Sequence, residues 1–178
     1  MEYDASRGMM TMTSDGNGVP YFFRTPMIDG GISRYFDVSD YVVNTNARVL
    51  GVSMNYDGAL AAIRADSTYI IDPTLRLQGL MQTNGGGNAG FDFHPQNTGG
   101  NSPIPGTRLA FSAAATPQID VFDTYCYQKV GSIEVRDPII GPIKASVRPD
   151  GRLVLVGASA TGVIVVTVDR PFASSCAG

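Results

Sequence analysis

His94 is the only histidine in the 178 residues, so any scheme with a histidine base or a histidine metal ligand must use it. It lies in FDFHP, at a position that similar segments of the chain fill with Tyr or an adjacent polar residue. A side chain close to a turn is expected there whatever the function, so we predict a structural role for His94. No GxSxG nucleophile motif accompanies it, because GVSMN and GASAT both lack the second glycine.

Aspartates end several short apolar runs. Asp37, Asp72 and Asp123 occupy the same place after such a run, and Asp169 closes a fourth one. An aspartate there could accept hydrogen bonds from backbone N–H groups of the following turn, or it could face a channel and bind a cation. Because a binding site rarely needs one copy per repeat, the recurrence favours the structural role.

Two glycine-rich segments invite ligand-binding interpretations. TNGGGNAG (83–90) is not followed by Gly-Lys-Ser/Thr, so it is predicted to be a connection and not a phosphate loop. TSDGNG (13–18) opens like a calcium loop but lacks the later aspartates and the distant glutamate. The sequence therefore predicts no metal site and no cofactor.

Four stretches with similar ends indicate a repeat: TMTSDG (11–16), SMNYDG (53–58), DFHPQN (92–97) and SVRPDG (146–151). Their last positions, 16, 58, 97 and 151, are 42, 39 and 54 residues apart. Each stretch ends in a pair suited to a turn that needs a positive φ, and a proline precedes the last two pairs. The predicted structural turns are Asp15 and Gly16, Asp57 and Gly58, Gln96 and Asn97, and Asp150 and Gly151.

The long third interval is explained by a Gly/Pro-rich insertion, TGGNSPIPG (98–106), directly after the third turn. Loops that depart from a repeat often carry specificity, although a tolerated surface insertion is the simpler alternative. The residues predicted to bind a partner are Thr98, Asn101, Ser102, Pro103 and Pro105.

Short β-branched or aromatic runs follow each turn, and no window shows helical spacing over 12 residues. The chain is therefore predicted to be all-β with antiparallel strands. The second run of three units (60–63, 109–111 and 153–156) is almost continuously apolar, which predicts a strand buried on both faces between neighbouring sheets.

This pattern, a strand ending in "PDG", then an apolar strand, then a "V-x-V-x-D" strand, resembles the β-propeller repeat of the YVTN or WD-like type. The resemblance covers 8–169, but the chain has no Trp, and Gln96-Asn97 replaces Asp-Gly in the third unit. It implies a single propeller domain or segment of about four blades, each an antiparallel four-stranded sheet. The implied repeats are 8–44, 45–84, 85–138 and 139–171, with a tail at 172–178.

The last blade is predicted to be incomplete. A fourth strand is clear after the second and third units, 41–44 is a candidate after the first, and the chain beyond Asp169 offers none. Residues 1–5 are very short for that task. We therefore expect a larger propeller, or a ring completed by missing sequence or a second copy, in preference to a self-contained four-bladed ring.

Composition limits the function classes. The formal net charge is −3, and no basic stripe interleaves with aromatics, so no nucleic-acid surface is predicted. No window approaches the ~20 apolar residues of a membrane span, and the first residues lack signal-peptide character. The compartment stays open: cytoplasmic, or extracytoplasmic if an upstream signal was lost. Cys126 and Cys176 could form one disulfide.

The preferred hypothesis is a non-catalytic scaffold or binding segment for a protein or other macromolecule. The alternative implied by the resemblance is a lactonase-like propeller hydrolase, with a metal or general base in the central channel. A fragment with no independent role is the third possibility.

Overall fold

The computed structural model describes two parts of the chain in different detail. Residues 2–4, 8–14, 20–25 and 34–37 are described as backbone strands, and residues 50–56, 59–64, 67–72, 76–83, 90–98, 105–169, 172 and 176 are described more fully. The predicted turns at 15–16 and 57–58 and the candidate strand at 41–44 lie outside these ranges.

Four antiparallel sheets follow one another along the chain, each formed by strands that are consecutive in sequence. The first sheet is β1 (Glu2–Asp4), β2 (Gly8–Ser14), β3 (Pro20–Thr25) and β4 (Arg34–Asp37). The second is β5 (Gly51–Met54), β6 (Ala61–Arg64), β7 (Thr68–Ile71) and β8 (Leu77–Met81). The third is β9 (Phe91–Phe93), β10 (Leu109–Ala113), β11 (Gln118–Asp123) and β12 (Gln128–Glu134). The fourth is β13 (Ile139–Val147), β14 (Leu153–Ser159) and β15 (Gly162–Val168).

The all-β prediction is confirmed, and within the described residues the last sheet has three strands. A 3₁₀ turn over Pro105–Thr107 is the only helical element in the described residues. None of the described residues belongs to a helix long and apolar enough to cross a membrane.

The first sheet differs from the expected arrangement by one strand. Glu2–Asp4 pairs with β2, so β1 begins this sheet and TMTSDG begins on its second strand. SMNYDG, DFHPQN and SVRPDG all begin on first strands instead. Asp37 therefore ends a fourth strand, whereas Asp123 ends a third strand and Asp72 directly follows one. The sequence missed β1 because three residues carry too little pattern to identify a strand.

The first strands of successive sheets lie side by side: β1 contacts β5, β5 contacts β9, and β9 contacts β13. Among the described strands, no contact of comparable extent joins the fourth sheet to the first. The sheets are thus arranged in chain order, with their first strands adjacent.

Apolar side chains fill the space between the third and fourth sheets. The third sheet contributes Phe111 and Val121, and the fourth contributes Ile139, Ile143 and Leu155, all with at most 1% of their surface exposed. Burying side chains of this size contributes roughly 1.5–3 kcal/mol each relative to exposure. This layer fixes the fourth sheet against the third.

A second apolar layer lies on the other face of the third sheet. Ala62 and Ile70 of the second sheet pack there against Phe93, Ala110 and Phe122 of the third. Every residue of β6 and β10 is buried, which confirms the prediction of strands covered on both faces. Strand β14 does not fit this prediction fully, because Val156 is 37% exposed.

The carboxylate of Asp92 links the first strands of three sheets. Its Oδ1 accepts a hydrogen bond from Ser53 Oγ of β5 at 2.8 Å, and its Oδ2 accepts one from the backbone N of Ala145 in β13 at 2.8 Å. Lys144 Nζ lies 3.9 Å from Oδ1. Burial raises the pKa of Asp92, and its hydrogen bonds and Lys144 oppose that rise.

The last two repeat turns share a backbone hydrogen bond but differ in one backbone angle. Asn97 N donates to His94 O at 2.8 Å, and Gly151 N donates to Arg148 O at 2.9 Å. Gly151 has the expected positive φ of 82°, whereas Asn97 does not have one. Since the insertion follows Asn97, the chain need not return at once into β10, and no left-handed residue is required there.

We predict that Asp92→Ala lowers the free energy of unfolding by about 2 kcal/mol, because one buried and one partly buried donor lose their acceptor. Urea denaturation followed by circular dichroism measures this change. The matched control is Asp169→Ala, since the Asp169 side chain is 72% exposed and should change stability by at most about 0.5 kcal/mol. Equal effects of the two substitutions would contradict the proposed link.

Candidate functional site

The turns of the second and third sheets meet at one end of the structure. Tyr56 N donates to Asn97 O at 3.1 Å, and Asn55 Nδ2 lies 3.4 Å from Asn97 Oδ1. The Asn97 amide also donates to Leu109 O at 3.2 Å and to Thr124 Oγ1 at 3.1 Å. Fully buried, Asn97 joins its own sheet to the preceding one at this end.

A cavity of about 290 Å³ lies at the same end, between the third and fourth sheets. Its polar lining comes from His94, Asp150, Arg152 and Asp169, and its apolar lining includes Leu109, Leu153, Val168 and Phe172. Gly106, the last residue of the insertion, and Gly151 complete it. The cavity therefore combines a predicted turn, the sole histidine and one end of the predicted binding loop.

His94 is held by its own turn. Its Nδ1 accepts a hydrogen bond from Gln96 N at 3.2 Å, and its backbone N donates to Leu109 O at 2.8 Å. Burial lowers the pKa of the His94 imidazole, so the ring is neutral near pH 7. Because Nδ1 is the acceptor, the neutral ring carries its hydrogen on Nε2 and offers a donor.

The charged residues of the cavity form loose, exposed pairs. Arg148 Nε lies 3.7 Å from Asp150 Oδ2, and Arg152 lies 4.0 Å from Asp169 Oδ1. Exposed pairs of this kind contribute little to stability, so these groups can exchange partners at small cost. Asp150 Oδ1 also accepts from Arg152 N at 3.1 Å, which keeps this carboxylate at the turn.

The C-terminal tail reaches back to the third sheet. Phe172 packs against the core between the third and fourth sheets and lies close to Gly131 of β12. Four residues later, Cys176 forms a disulfide with Cys126 in the turn between β11 and β12. The disulfide therefore anchors the tail to the third sheet four residues beyond Phe172, which lines the cavity.

The predicted binding residues of the insertion are only partly described. Thr98 follows Asn97 and is half-buried, and the backbone of Pro105 begins the 3₁₀ turn that ends at Thr107. Asn101, Ser102 and Pro103 lie outside the described residues. Of the described residues of the insertion, Gly106 lines the cavity between the third and fourth sheets, which we call the turn-end cavity.

The aspartates at strand ends accept hydrogen bonds from local groups. Asp123 Oδ1 accepts from Tyr125 N at 2.7 Å. Asp72 Oδ1 accepts from Arg76 N at 3.1 Å, and its Oδ2 accepts from Gln78 Nε2 at 2.8 Å. Within the described part of the chain, no group of three or more His, Cys, Asp or Glu side chains could hold a metal ion.

Sequence reasoning missed the charged residues inside the sheets. Buried Arg64 donates to Thr68 Oγ1 at 3.0 Å and to Ala113 O of the third sheet at 3.1 Å. Burial lowers its pKa to about 10, against the opposing charge of Asp120. Lys129 lies 2.6 Å from the buried Asp120. The available signal was a charge inside an apolar run, as in LAAIR and QIDVF.

Tyr127 has an unusual backbone conformation. Its φ of 60° makes it the one described non-glycine residue in the left-handed region, which is rare for a bulky side chain. Its ring packs against Gly79 of β8, where any side chain would collide with it. Tyr127 thus joins the outermost strand of the second sheet to the third.

A scan of the chain against protein-family models found no match, and neither did a search of curated proteins.

We predict that replacing both cysteines, Cys126→Ser with Cys176→Ser, lowers the free energy of unfolding by about 2–4 kcal/mol. The bond closes a loop of 50 residues, so its loss increases the freedom of the unfolded chain. Urea denaturation measures the change, and the reduced wild-type protein is the control that should match the variant. A variant as stable as the oxidised wild type would contradict this prediction.

We also predict that His94, the only histidine of the chain, contributes a pH dependence to the stability. Its folded pKa lies below the unfolded value, so the unfolded state binds more protons and wild-type stability falls as pH drops below about 6.5. His94→Gln keeps an acceptor for Gln96 N and should lose this dependence. Urea midpoints between pH 7.5 and 5 measure the difference, and parallel curves would contradict the prediction.

Proposed function

We propose that the four sheets are blades of a β-propeller and that the chain is a non-catalytic binding segment. The radial arrangement is supported by three features. Each sheet consists of consecutive antiparallel strands, the first strands are adjacent in chain order, and the third sheet is covered by apolar residues on both faces. A unit of about 40–45 residues with four strands is typical of a propeller blade.

The turn-end cavity is the proposed binding site for a protein partner. The observation that carries this proposal is that the one loop departing from the repeat ends at Gly106 in the wall of the cavity. Scaffolds of repeated units usually place specificity in such loops. His94 and Leu109 belong to the same repeat as this loop, whereas the turn at 150–151 and the end of β15 belong to the next repeat, so two units supply one site.

The lining indicates what the partner presents. Phe172, Leu109 and Val168 offer an apolar surface, while Asp150 and Asp169 add two carboxylates whose pairs with Arg148 and Arg152 are loose enough to be exchanged. An apolar side chain flanked by a basic residue matches this combination. We therefore propose an extended peptide segment of a protein partner as the ligand.

Hydrolysis is the less favoured alternative. His94 Nδ1 is occupied by the Gln96 backbone N–H, so the neutral imidazole presents a donor to its surroundings and not a general base. A lactonase-like reaction through His94 would require this hydrogen bond to break.

The Cys126–Cys176 disulfide indicates the kind of cellular compartment in which the protein is found. Such bonds persist in oxidising environments and are rare in reducing ones. We accordingly propose an extracytoplasmic location for the protein.

Gly106→Trp tests the proposed site. A Cβ at Gly106 meets nothing within 4 Å, so the fold can accept a side chain there while the indole obstructs the cavity. Peptides selected from a random 12-residue display library on the wild-type chain should bind Gly106→Trp at least tenfold more weakly by isothermal titration calorimetry. The control is Thr161→Trp, at the exposed turn between β14 and β15, at the opposite end of the fourth sheet.

Two results would overturn the proposal. One is equal peptide affinity of the wild type and Gly106→Trp, together with selected peptides that lack a basic residue beside an apolar one. The other is turnover of a lactone panel by the wild type that disappears in His94→Gln, which would favour the hydrolase instead.

A further inference from the structure

The fourth sheet has one covered face and one exposed face, which is largely apolar and carries the charge of Lys144. Burial alternates along β13, whose residues 139, 143, 145 and 147 face the third sheet while 140, 142, 144 and 146 are exposed. On the outer face, the exposed fractions are 54% for Ile140, 37% for Val156, 71% for Val163 and 65% for Val165. Exposed apolar groups of this kind mark interaction sites.

The same positions are buried in the preceding sheet. When the third and fourth sheets are aligned by their strand pairs, starting at the turn after the first strand, Ala113 of β10 corresponds to Val156 of β14. The residues paired with these two on the next strand, Ile119 of β11 and Val165 of β15, correspond in the same way. Ala113 and Ile119 are each 1% exposed, because the fourth sheet covers them. The outer face of the fourth sheet therefore corresponds to the face of the third sheet that the fourth sheet covers, but no described sheet covers it in turn.

The contact between neighbouring sheets indicates which surface would fit the outer face of the fourth sheet. The two described interfaces, between the second and third sheets and between the third and fourth, join this face of one sheet to the opposite face of the next, with the two first strands adjacent. The next first strand should then lie beside β13. The first sheet begins with β1, whose extended contact with another sheet is to β5 alone among the described strands.

We propose that the outer face of the fourth sheet binds the first sheet of a second copy of this chain, head to tail. A two-fold axis closes the pair, because the second copy's fourth sheet meets the first copy's first sheet in the same way. Two copies then supply eight sheets, which lies within the range of closed propellers. This proposal rests on the blade-like stacking proposed above, but it does not depend on the turn-end cavity.

The composition of β15 suits burial in such an interface. Its seven residues, GVIVVTV, include no charge, and edge strands of monomeric proteins commonly carry charges that oppose association. Since Val163 and Val165 point away from the third sheet, covering them buries apolar surface without desolvating a charged group of β15.

Light scattering after size-exclusion chromatography tests the association. The wild-type chain should elute at twice its mass of 18.9 kDa, and Val165→Lys should raise the dimer dissociation constant at least tenfold. Val163→Lys is a second variant with the same expected effect. The control is Leu80→Lys, which changes a 42%-exposed apolar residue of β8 and should leave the dimer intact.

A capture experiment separates the head-to-tail arrangement from a face-to-face dimer. Tagged Val165→Lys should retain untagged wild type, because its first sheet can still accept the wild type's fourth sheet. A wild-type monomer at 100 µM, open-ended oligomers, or a tagged variant that retains no wild type would each overturn the proposal. Binding of the selected peptides to Val165→Lys, measured in parallel, shows whether the turn-end cavity is intact independently of association.

Discussion

Burial of both faces of the third sheet is the constraint on which the rest of the structure depends. Phe111 and Val121 point into the layer shared with the fourth sheet, while Ala110 and Phe122 point into the layer shared with the second. Because successive side chains on a strand alternate between faces, a strand covered on both sides must be apolar throughout. The runs LAAI and LAF satisfy this requirement, and the two layers set the order of the sheets.

Polar links fix the stack where apolar packing alone would allow sliding. Asp92 holds the first strands of three sheets, Asn97 holds two turns together, and Arg64 reaches from the second sheet to a carbonyl of the third. Buried groups of this kind specify a geometry only when their hydrogen bonds are made, since an unmet donor costs about 1–3 kcal/mol. Of these three residues, Asp92 joins the two sheets that form the turn-end cavity.

The fold could largely be predicted from local patterns, whereas the site could not. Turn pairs and apolar runs act over a few residues, so the strands of the last three sheets could be recognised in the sequence. The charge of Asp92 or Arg64 has meaning only across sheets, through partners 39 to 53 positions away in the chain. Phe172 is a similar case, since nothing in RPFASSCAG indicates that it lines a cavity with His94.

Amide hydrogen exchange read by mass spectrometry tests the central claim most directly. If the third sheet is covered on both faces, the amides of β10 and β11 should exchange at least 100-fold more slowly than those of the outermost strands β8 and β12. Exchange of β10 at the rate of β12 would contradict the account, because a strand packed between two sheets opens only when the stack itself comes apart.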